Sequence, residues 1–158
     1  MFNKRIKKFI DLINNDKSVV WIADYELKSS EDTFDDFREE INAMELKGFL
    51  KVRSFTNTHD LKISLTSYGA FFGKDYINDY EKIFEDVVSL VTSENPLTDD
   101  ASIAHKLDVS RMFVDAVFED LRNQELVKIK TSTMGMDIYK FTNQGIDYFS
   151  NLNALSKA

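Results

Sequence analysis

Ile103-Ala104-His105-Lys106-Leu107-Asp108-Val109-Ser110 is the stretch from which the rest of the chain can be read. Ile103, Ala104 and Leu107 recur at helical spacing, which predicts a short helix over residues 100–106 with those three side chains facing inward. Ser110 stands where an N-cap belongs, because its hydroxyl can accept an orphan N–H of the next first turn. Val114, Val117, Phe118 and Leu121 then mark the inner face of a second helix, Arg111 to Asn123. Two strands follow, Leu126 to Thr131 and Asp137 to Phe141, around a polar tip at Ser132 to Met136. A further helix begins after Thr142.

The same pattern occurs twice. Phe37, Ile41 and Met44, then Phe49, Leu50, Lys51 and Val52, match Val114, Phe118 and Leu121, then Leu126, Val127, Lys128 and Ile129 at a shift of 77. Ile63, Leu65, Thr66, Gly69 and Phe72 match Tyr139, Phe141, Thr142, Gly145 and Tyr148 at a shift of 76. The lost residue belongs in a hairpin tip, where length changes are tolerated. In the first copy the spacing predicts an opening helix on Ile6, Phe9, Ile10 and Ile13. A reduced second helix is expected near Ile22 to Lys28, and a third from Glu31 to Lys47 capped by Ser29 or Ser30. Strands at Phe49 to Phe55 and Leu61 to Leu65 flank a tip at Thr56 to Asp60. The second copy opens on Tyr80, Ile83, Phe84, Val87, Val88 and Val91. No Pro, Gly or Ser-rich linker separates the halves. Tyr68, Phe72, Tyr76, Tyr80, Phe84 and Val88 recur every fourth residue, so one helix from Ser67 to Ser93 is expected to join them, about 40 Å long.

Helix, helix, helix, hairpin, helix resembles the winged helix-turn-helix superfamily. The segment Ile103 to Ser110 looks like its helix-turn-helix core. Leu65-Thr66-x-x-Gly69 and Phe141-Thr142-x-x-Gly145 look like its exit from the wing. The resemblance implies a mainly α protein with small β-hairpins (α+β), built as two winged-helix domains in tandem. Residues 1–77 form the first, with a degenerate helix-turn-helix, and residues 78–158 the second.

Composition narrows the function. The 158 residues include 13 Phe, 2 His, 1 Pro and no Cys. A hydrophobic share of 43% supports a packed core. Without Cys there is no disulfide framework, thiolate zinc site or Cys nucleophile. Two isolated histidines, His59 in a wing tip and His105 in a helix, suggest no metal site. The longest apolar run, Val19 to Ala23, is too short for a membrane span or a signal-peptide core. A cytoplasmic, soluble, non-enzymatic protein without cofactor is expected, as a monomer or homodimer. The many Phe residues and Trp21 read as packing.

Charge separates two functional classes. The net charge is -7. The first-copy helix carries Glu31, Asp32, Asp35, Asp36, Glu39, Glu40 and Glu45 against Arg38 and Lys47, a set that phosphate would repel. An acidic docking face at Asp35, Asp36, Glu39 and Glu40 therefore points to a protein partner and a regulatory or adaptor role. The alternative is a DNA-binding regulator that reads DNA through the second copy. There Lys106, Ser110, Arg111, Lys128, Lys130 and Thr131 are the candidate contacts, because lysine, arginine and hydroxyl groups hold phosphate oxygens. Asp108, Asp115, Glu119 and Asp120 lie on or beside that helix, and its acids are expected on solvated faces. A basic cluster at Lys4, Arg5, Lys7 and Lys8 flanks Ile6, Phe9 and Ile10 on an amphipathic helix and could contact phosphate, an acidic protein or a membrane surface. Its first reading is the solvated face of that helix, with a place against the protein's own acidic helix as a further alternative. On the last helix, Ile146, Phe149, Leu152 and Leu155 are expected to pack on the core or form a dimer seam.

Overall fold

Ile6, Phe9, Ile10 and Ile13 line one side of the first helix, α1 (Asn3–Asn15), and all four are buried. The chain then forms a short strand β1 (Trp21–Ala23) and a single 3-10 turn, Asp24–Glu26. Helix α2 (Phe34–Leu46) follows, then a hairpin of β2 (Leu50–Ser54) and β3 (Leu61–Leu65), and a short helix α3 (Ser67–Phe72). After a second 3-10 turn at Lys74–Tyr76 come α4 (Tyr80–Val91), α5 (Asp100–Leu107) and α6 (Arg111–Asn123). Hairpin strands β4 (Val127–Ser132) and β5 (Gly135–Phe141) and helix α7 (Asn143–Lys157) complete the chain. This computed structural model describes residues 2–54 and 61–157, with side chains through Leu152. The fold is mainly helical with two small antiparallel sheets. The chain divides into two compact units, Met1–Asn78 and Asp79–Ala158.

In the first unit the sheet order is β1-β3-β2, both pairings antiparallel. Phe37, Ile41 and Met44 of α2 are buried with Ile63 and Leu65 of β3. Each such side chain contributes about 1.5–3 kcal/mol by leaving water. In the second unit Val114, Phe118 and Leu121 of α6 are equally buried, and β4 pairs with β5 through a bulge between Lys128 and Ile129. A single bridge, Asp99 to Asp137, is the only strand-like contact that the described residues add to this hairpin.

One arrangement recurs bond for bond. Phe49 N–H donates to Met44 O and Leu126 N–H to Leu121 O, each at 3.0 Å, turning the chain out of α2 and α6. Thr66 N–H and Thr142 N–H donate to the carbonyls of Phe49 and Leu126, each at 3.1 Å. The two threonine hydroxyls accept from Gly69 N–H and Gly145 N–H at 2.9 Å. They donate to Gly48 O at 2.5 Å and Glu125 O at 2.6 Å. A Cβ on Gly69 would overlap Phe49 O, and one on Gly145 would overlap Leu126 O. Only glycine lets the first turn of the closing helix lie this close to the strand carbonyl.

Several sequence expectations are corrected. The helix from Ser67 to Ser93 does not form. Helix α3 ends at Phe72, Ile77 is extended, and Asp79 takes a left-handed φ of 57° before α4 starts at Tyr80. Asn14 of α1 holds the break: its amide donates to Tyr76 O at 2.9 Å and its carbonyl accepts from Asn78 N–H at 3.1 Å. Side-chain periodicity does not register a partner that caps the backbone from another helix. The helix expected near Ile22 to Lys28 is instead strand β1 with the 3-10 turn, because Trp21 to Ala23 pair with β3. Helix α2 starts at Phe34 and is capped by Thr33, whose hydroxyl accepts from Asp36 N–H at 3.2 Å. Ser29 does not cap it, since residues 29–32 close their own turn on the Asp32 carboxylate. Trp21 is only half-buried, under the Arg53 guanidinium at 4.4 Å, and Phe34 and Phe72 are exposed. On α7, Phe149 is buried whereas Ile146 and Leu152 are exposed. Leu155 and the tip at Thr56 to Asp60, with His59, lie outside the described residues.

The repeated threonine–glycine contact makes a quantitative expectation. Gly145→Ala forces the strand carbonyl away and costs about 2–3 kcal/mol, as overpacking of a rigid site does. Thr142→Val loses a cap and a carbonyl bond, at about 1–2 kcal/mol. Gly69→Ala and Thr66→Val behave alike in the first unit. Thermal unfolding of the four variants reads this directly, since about 1 kcal/mol moves Tm by roughly 4–8 °C in units of this size. Unchanged melting of both glycine variants would refute the close approach.

Candidate functional site

Thr33 starts α2, and Asp35 and Asp36 occupy its first turn, where carboxylates complement the helix macrodipole. The inward stripe Phe37, Ile41 and Met44 fixes the helix rotation, so Asp35, Asp36 and Glu39 face solvent. None of these three carboxylates is ion-paired among the described residues. Two large apolar side chains are exposed on the same helix, Phe34 at its start (58%) and Leu46 at its end (89%). Sequence reasoning missed both: their spacing does not separate them from core positions.

Glu40 does not belong to that open face. It lies 3.2 Å from Arg5 Nη2, while Arg5 Nη1 meets Asp32 at 2.5 Å and Leu27 O at 2.9 Å. The guanidinium also lies 5.0 Å from the Phe37 ring centre. Arg5 is 5% exposed, so it is not part of a solvated basic cluster. It is the cation that ties α1 to the turn before α2 and to the middle of that helix. Its hydrogen bond holds the Asp32 carboxyl well below the usual carboxylate range, with help from Ser29 N–H. The remaining lysines are exposed, and Lys7 pairs with Asp11 at 2.7 Å.

The second unit disperses the nucleic-acid candidates. Ser110 is buried and caps α6, accepting from Met112 N–H at 3.2 Å. Arg111 donates through Nε to Asp100 at 3.0 Å and through Nη2 to Met134 O at 2.8 Å. Lys106 is exposed on α5, and Lys128, Lys130 and Thr131 are exposed on β4. Lys128 faces Lys140 across the hairpin, and Lys130 faces Asp137. Helix α6 itself is buried continuously from Phe113 to Leu121.

That burial includes Asp115, Glu119 and Asp120, contrary to the expected solvated face. Asp120 accepts from Tyr80 Oη at 2.6 Å and Gln124 Nε2 at 2.9 Å, and Glu119 pairs with Arg122. Asp115 is hydrogen-bonded to Asp100, itself 1% exposed. Burial and the neighbouring Asp100 charge push the Asp115 carboxyl up to about 9. Asp100 stays on the low side: despite strong desolvation, bonds from Asp115, Arg111 and the Met136 backbone favour its charged form. A shallow cleft of about 490 Å³ lies where α6, β4 and α7 meet, lined by Arg122, Glu125, Lys128, Thr142 and Gln144 among others, with charges of both signs. Among the described residues, no group of three or more metal-ligating side chains is arranged to hold an ion, and no helix is long and apolar enough to cross a membrane.

Comparison of the chain with protein-family models, curated proteins and solved structures finds no match.

The Arg5 cluster separates structural from displayed charge. Arg5→Met leaves Asp32 and Glu40 facing each other and costs about 2 kcal/mol. That is less than the roughly 3–5 kcal/mol of a fully enclosed pair, since the two carboxylates are 18% and 19% exposed. Lys4→Met, on the same helix, changes stability by less than about 0.5 kcal/mol. Urea unfolding of the two variants checks the contrast, and equal midpoints would contradict it.

Proposed function

We propose that this chain is a non-catalytic regulatory or adaptor module, a tandem pair of winged-helix units that docks a protein partner on the outer face of α2. The fold side of this reading draws on element order. The first unit runs helix, strand, turn, helix, hairpin with sheet order β1-β3-β2. The second runs helix, helix, helix, hairpin, and its Asp99 to Asp137 bridge stands where the first unit has β1. The threonine–glycine closure common to both favours one plan used twice.

The observation that carries the functional side is the state of α2. Asp35, Asp36 and Glu39 are solvated and, among the described residues, not ion-paired, and Phe34 and Leu46 bracket them. Exposed carboxylates beside exposed apolar groups suit a partner that brings Lys or Arg and an apolar side chain. Charge complementarity then steers encounter, and apolar burial slows release. Phosphate would be repelled by the same face.

A second reading has its own support. Lys128, Lys130 and Lys140 on the β4–β5 hairpin are exposed and, among the described residues, without ion partners, and Thr131 sits among them. This is the surface through which DNA binding would act. Two of the six candidate contacts are engaged within the fold, Ser110 as a cap and Arg111 as a bridge, and this favours the protein-docking reading.

Charge reversal distinguishes the two. The triple variant Asp35→Lys, Asp36→Lys, Glu39→Lys is expected to keep its fold, losing about 0.3–1 kcal/mol for each of the two first-turn acids. It should lose its protein partner in affinity capture, with the Asn/Asn/Gln variant intermediate. Glu40 stays unchanged in this design, because Arg5 needs it. Under the same reading the unmodified chain shows no binding to random duplex DNA at about 0.15 M salt. Salt-sensitive DNA binding lost in Lys128→Glu/Lys130→Glu, with partner capture untouched by the α2 variant, would replace the docking reading with the DNA one.

A further inference from the structure

Asp100 and Asp115 lie side chain to side chain in the second unit, hydrogen-bonded to each other. Two carboxylates cannot share such a bond, because neither has a proton to give; one of the pair must be the acid. The surroundings assign it. Asp100 is the first residue of α5, where the helix dipole favours an anion. It accepts from Ala101 N–H at 2.8 Å, from Arg111 Nε at 3.0 Å and from the Met136 backbone. Asp115 is 8% exposed, and its Oδ1 has no hydrogen-bond partner. An ionised carboxylate left with an orphan oxygen at that depth is costly, whereas a neutral acid tolerates it. Asp115 therefore carries the proton and donates it to Asp100.

Three segments meet at this bond. Asp100 opens α5, Arg111 and Asp115 lie one turn apart on α6, and Arg111 Nη2 reaches Met134 O in the β4–β5 turn at 2.8 Å. Gly135, the first residue of β5 after that turn, has φ 131°, and a Cβ there would overlap both the Arg111 guanidinium and Asp100 Oδ1. Just beyond it, Ile138 N–H donates to Thr98 O at 2.9 Å.

We propose that the Asp100–Asp115 pair is a one-proton latch that fastens the β4–β5 turn to the start of α5 and α6. With the proton in place, one anion faces one cation, Arg111, and the turn closes over the neutral assembly. When hydroxide removes the proton from Asp115, water forms and two carboxylates face that single guanidinium. The groups acting on Asp115 are Asp100 from α5, and Arg111 and Glu119 from α6. From β5 the pair meets the Met136 backbone; Tyr80 of α4 binds Asp120 instead; β4 turns Lys128 and Lys130 to solvent. Nothing in this set neutralises a second negative charge. Relief comes from opening the turn, which admits water to both carboxylates and frees the Met134 carbonyl.

The pH sense follows from the two directions. The folded state raises the Asp115 value above its unfolded one. Its stabilisation is therefore complete below the ordinary carboxylate range and is lost as pH rises through about 9. The folded state lowers the Asp100 value, so its stabilisation is present above the ordinary range and is lost on acidification. The latch is closed across neutral pH and opens on either side.

Full-length protein labelled with 13C at aspartate carboxyls and methionine methyls tests this. One carboxyl, assigned to Asp115 by its loss in Asp115→Asn, should titrate far above the ordinary value of about 4. The Met134 and Met136 methyl resonances should move with the same midpoint. In Asp115→Asn the amide donates to Asp100 without a titratable proton, so these methyls should stay fixed from about pH 6 to about pH 9. Tyrosine titration is common to both proteins and cancels in the comparison. An Asp115 carboxyl titrating near its ordinary value in the unmodified chain would overturn the proposal, and this readout needs no variant to fold. So would methyl shifts that follow pH identically with and without Asp115.

Discussion

A strand carbonyl pressed against a glycine sets the geometry of both halves of this chain. The Phe49 and Leu126 carbonyls each accept from a threonine N–H and touch the glycine three residues later. The threonine hydroxyl then joins the turn out of the helix behind to the helix ahead through two bonds of opposite sense. With these elements fixed, the helices α2 and α6 present their apolar stripes to one core each. The constraint joins residues 18 apart in the first unit and 17 apart in the second and uses the same elements in both, which is why two halves of different composition close in the same way.

Charge distribution is where the halves part. In the second unit Asp100, Asp115, Glu119 and Asp120 are all buried, so the acidic excess that reaches solvent is smaller than composition states. Each is balanced locally: by Arg111, by a shared proton, by Arg122, or by Tyr80 and Gln124. Helix α6 is consequently a core element along most of its length. In the first unit Arg5 and Asp24 are buried, and α2 keeps Asp35, Asp36, Glu39 and Glu45, with the apolar Phe34 and Leu46, in water. Corresponding helices thus serve opposite ends, one closed into the unit and one displayed. The proposed docking surface follows from that asymmetry, as does the placement of a proton-dependent contact in the unit whose acids are inside.

The Arg5 site shows how a helix acquires its display face. A buried guanidinium needs most of its donors satisfied, since an unmet charge at that depth is expensive. Arg5 recruits Asp32, Glu40 and the Leu27 carbonyl. This sets the approach of α1 to α2 and removes Glu40 from the surface, leaving Asp35, Asp36 and Glu39 one after another on the open side.

Local pattern alone determined much of this protein. Helical spacing located α1, α5 and α6; Ser110 marked its cap; the paired threonine–glycine motifs located both hairpin exits. These features depend on neighbours a few residues apart, and a sequence records them directly. The six core residues of α2 and α6 were legible for the same reason. Other features needed the tertiary structure. Asn14 breaks the helix expected through Ser67 to Ser93 from 62 residues away, and strand pairing with β3 converts Trp21 to Ala23 from helix to sheet. The candidate site divides along the same line. Asp35, Asp36 and Glu39 were legible as a solvated face, whereas the engagement of Glu40, Ser110 and Arg111 was not. Nor was the proton shared by Asp100 and Asp115, because the cost of a charge depends on the dielectric and partners around it. Those are set by chain segments that the local sequence does not specify.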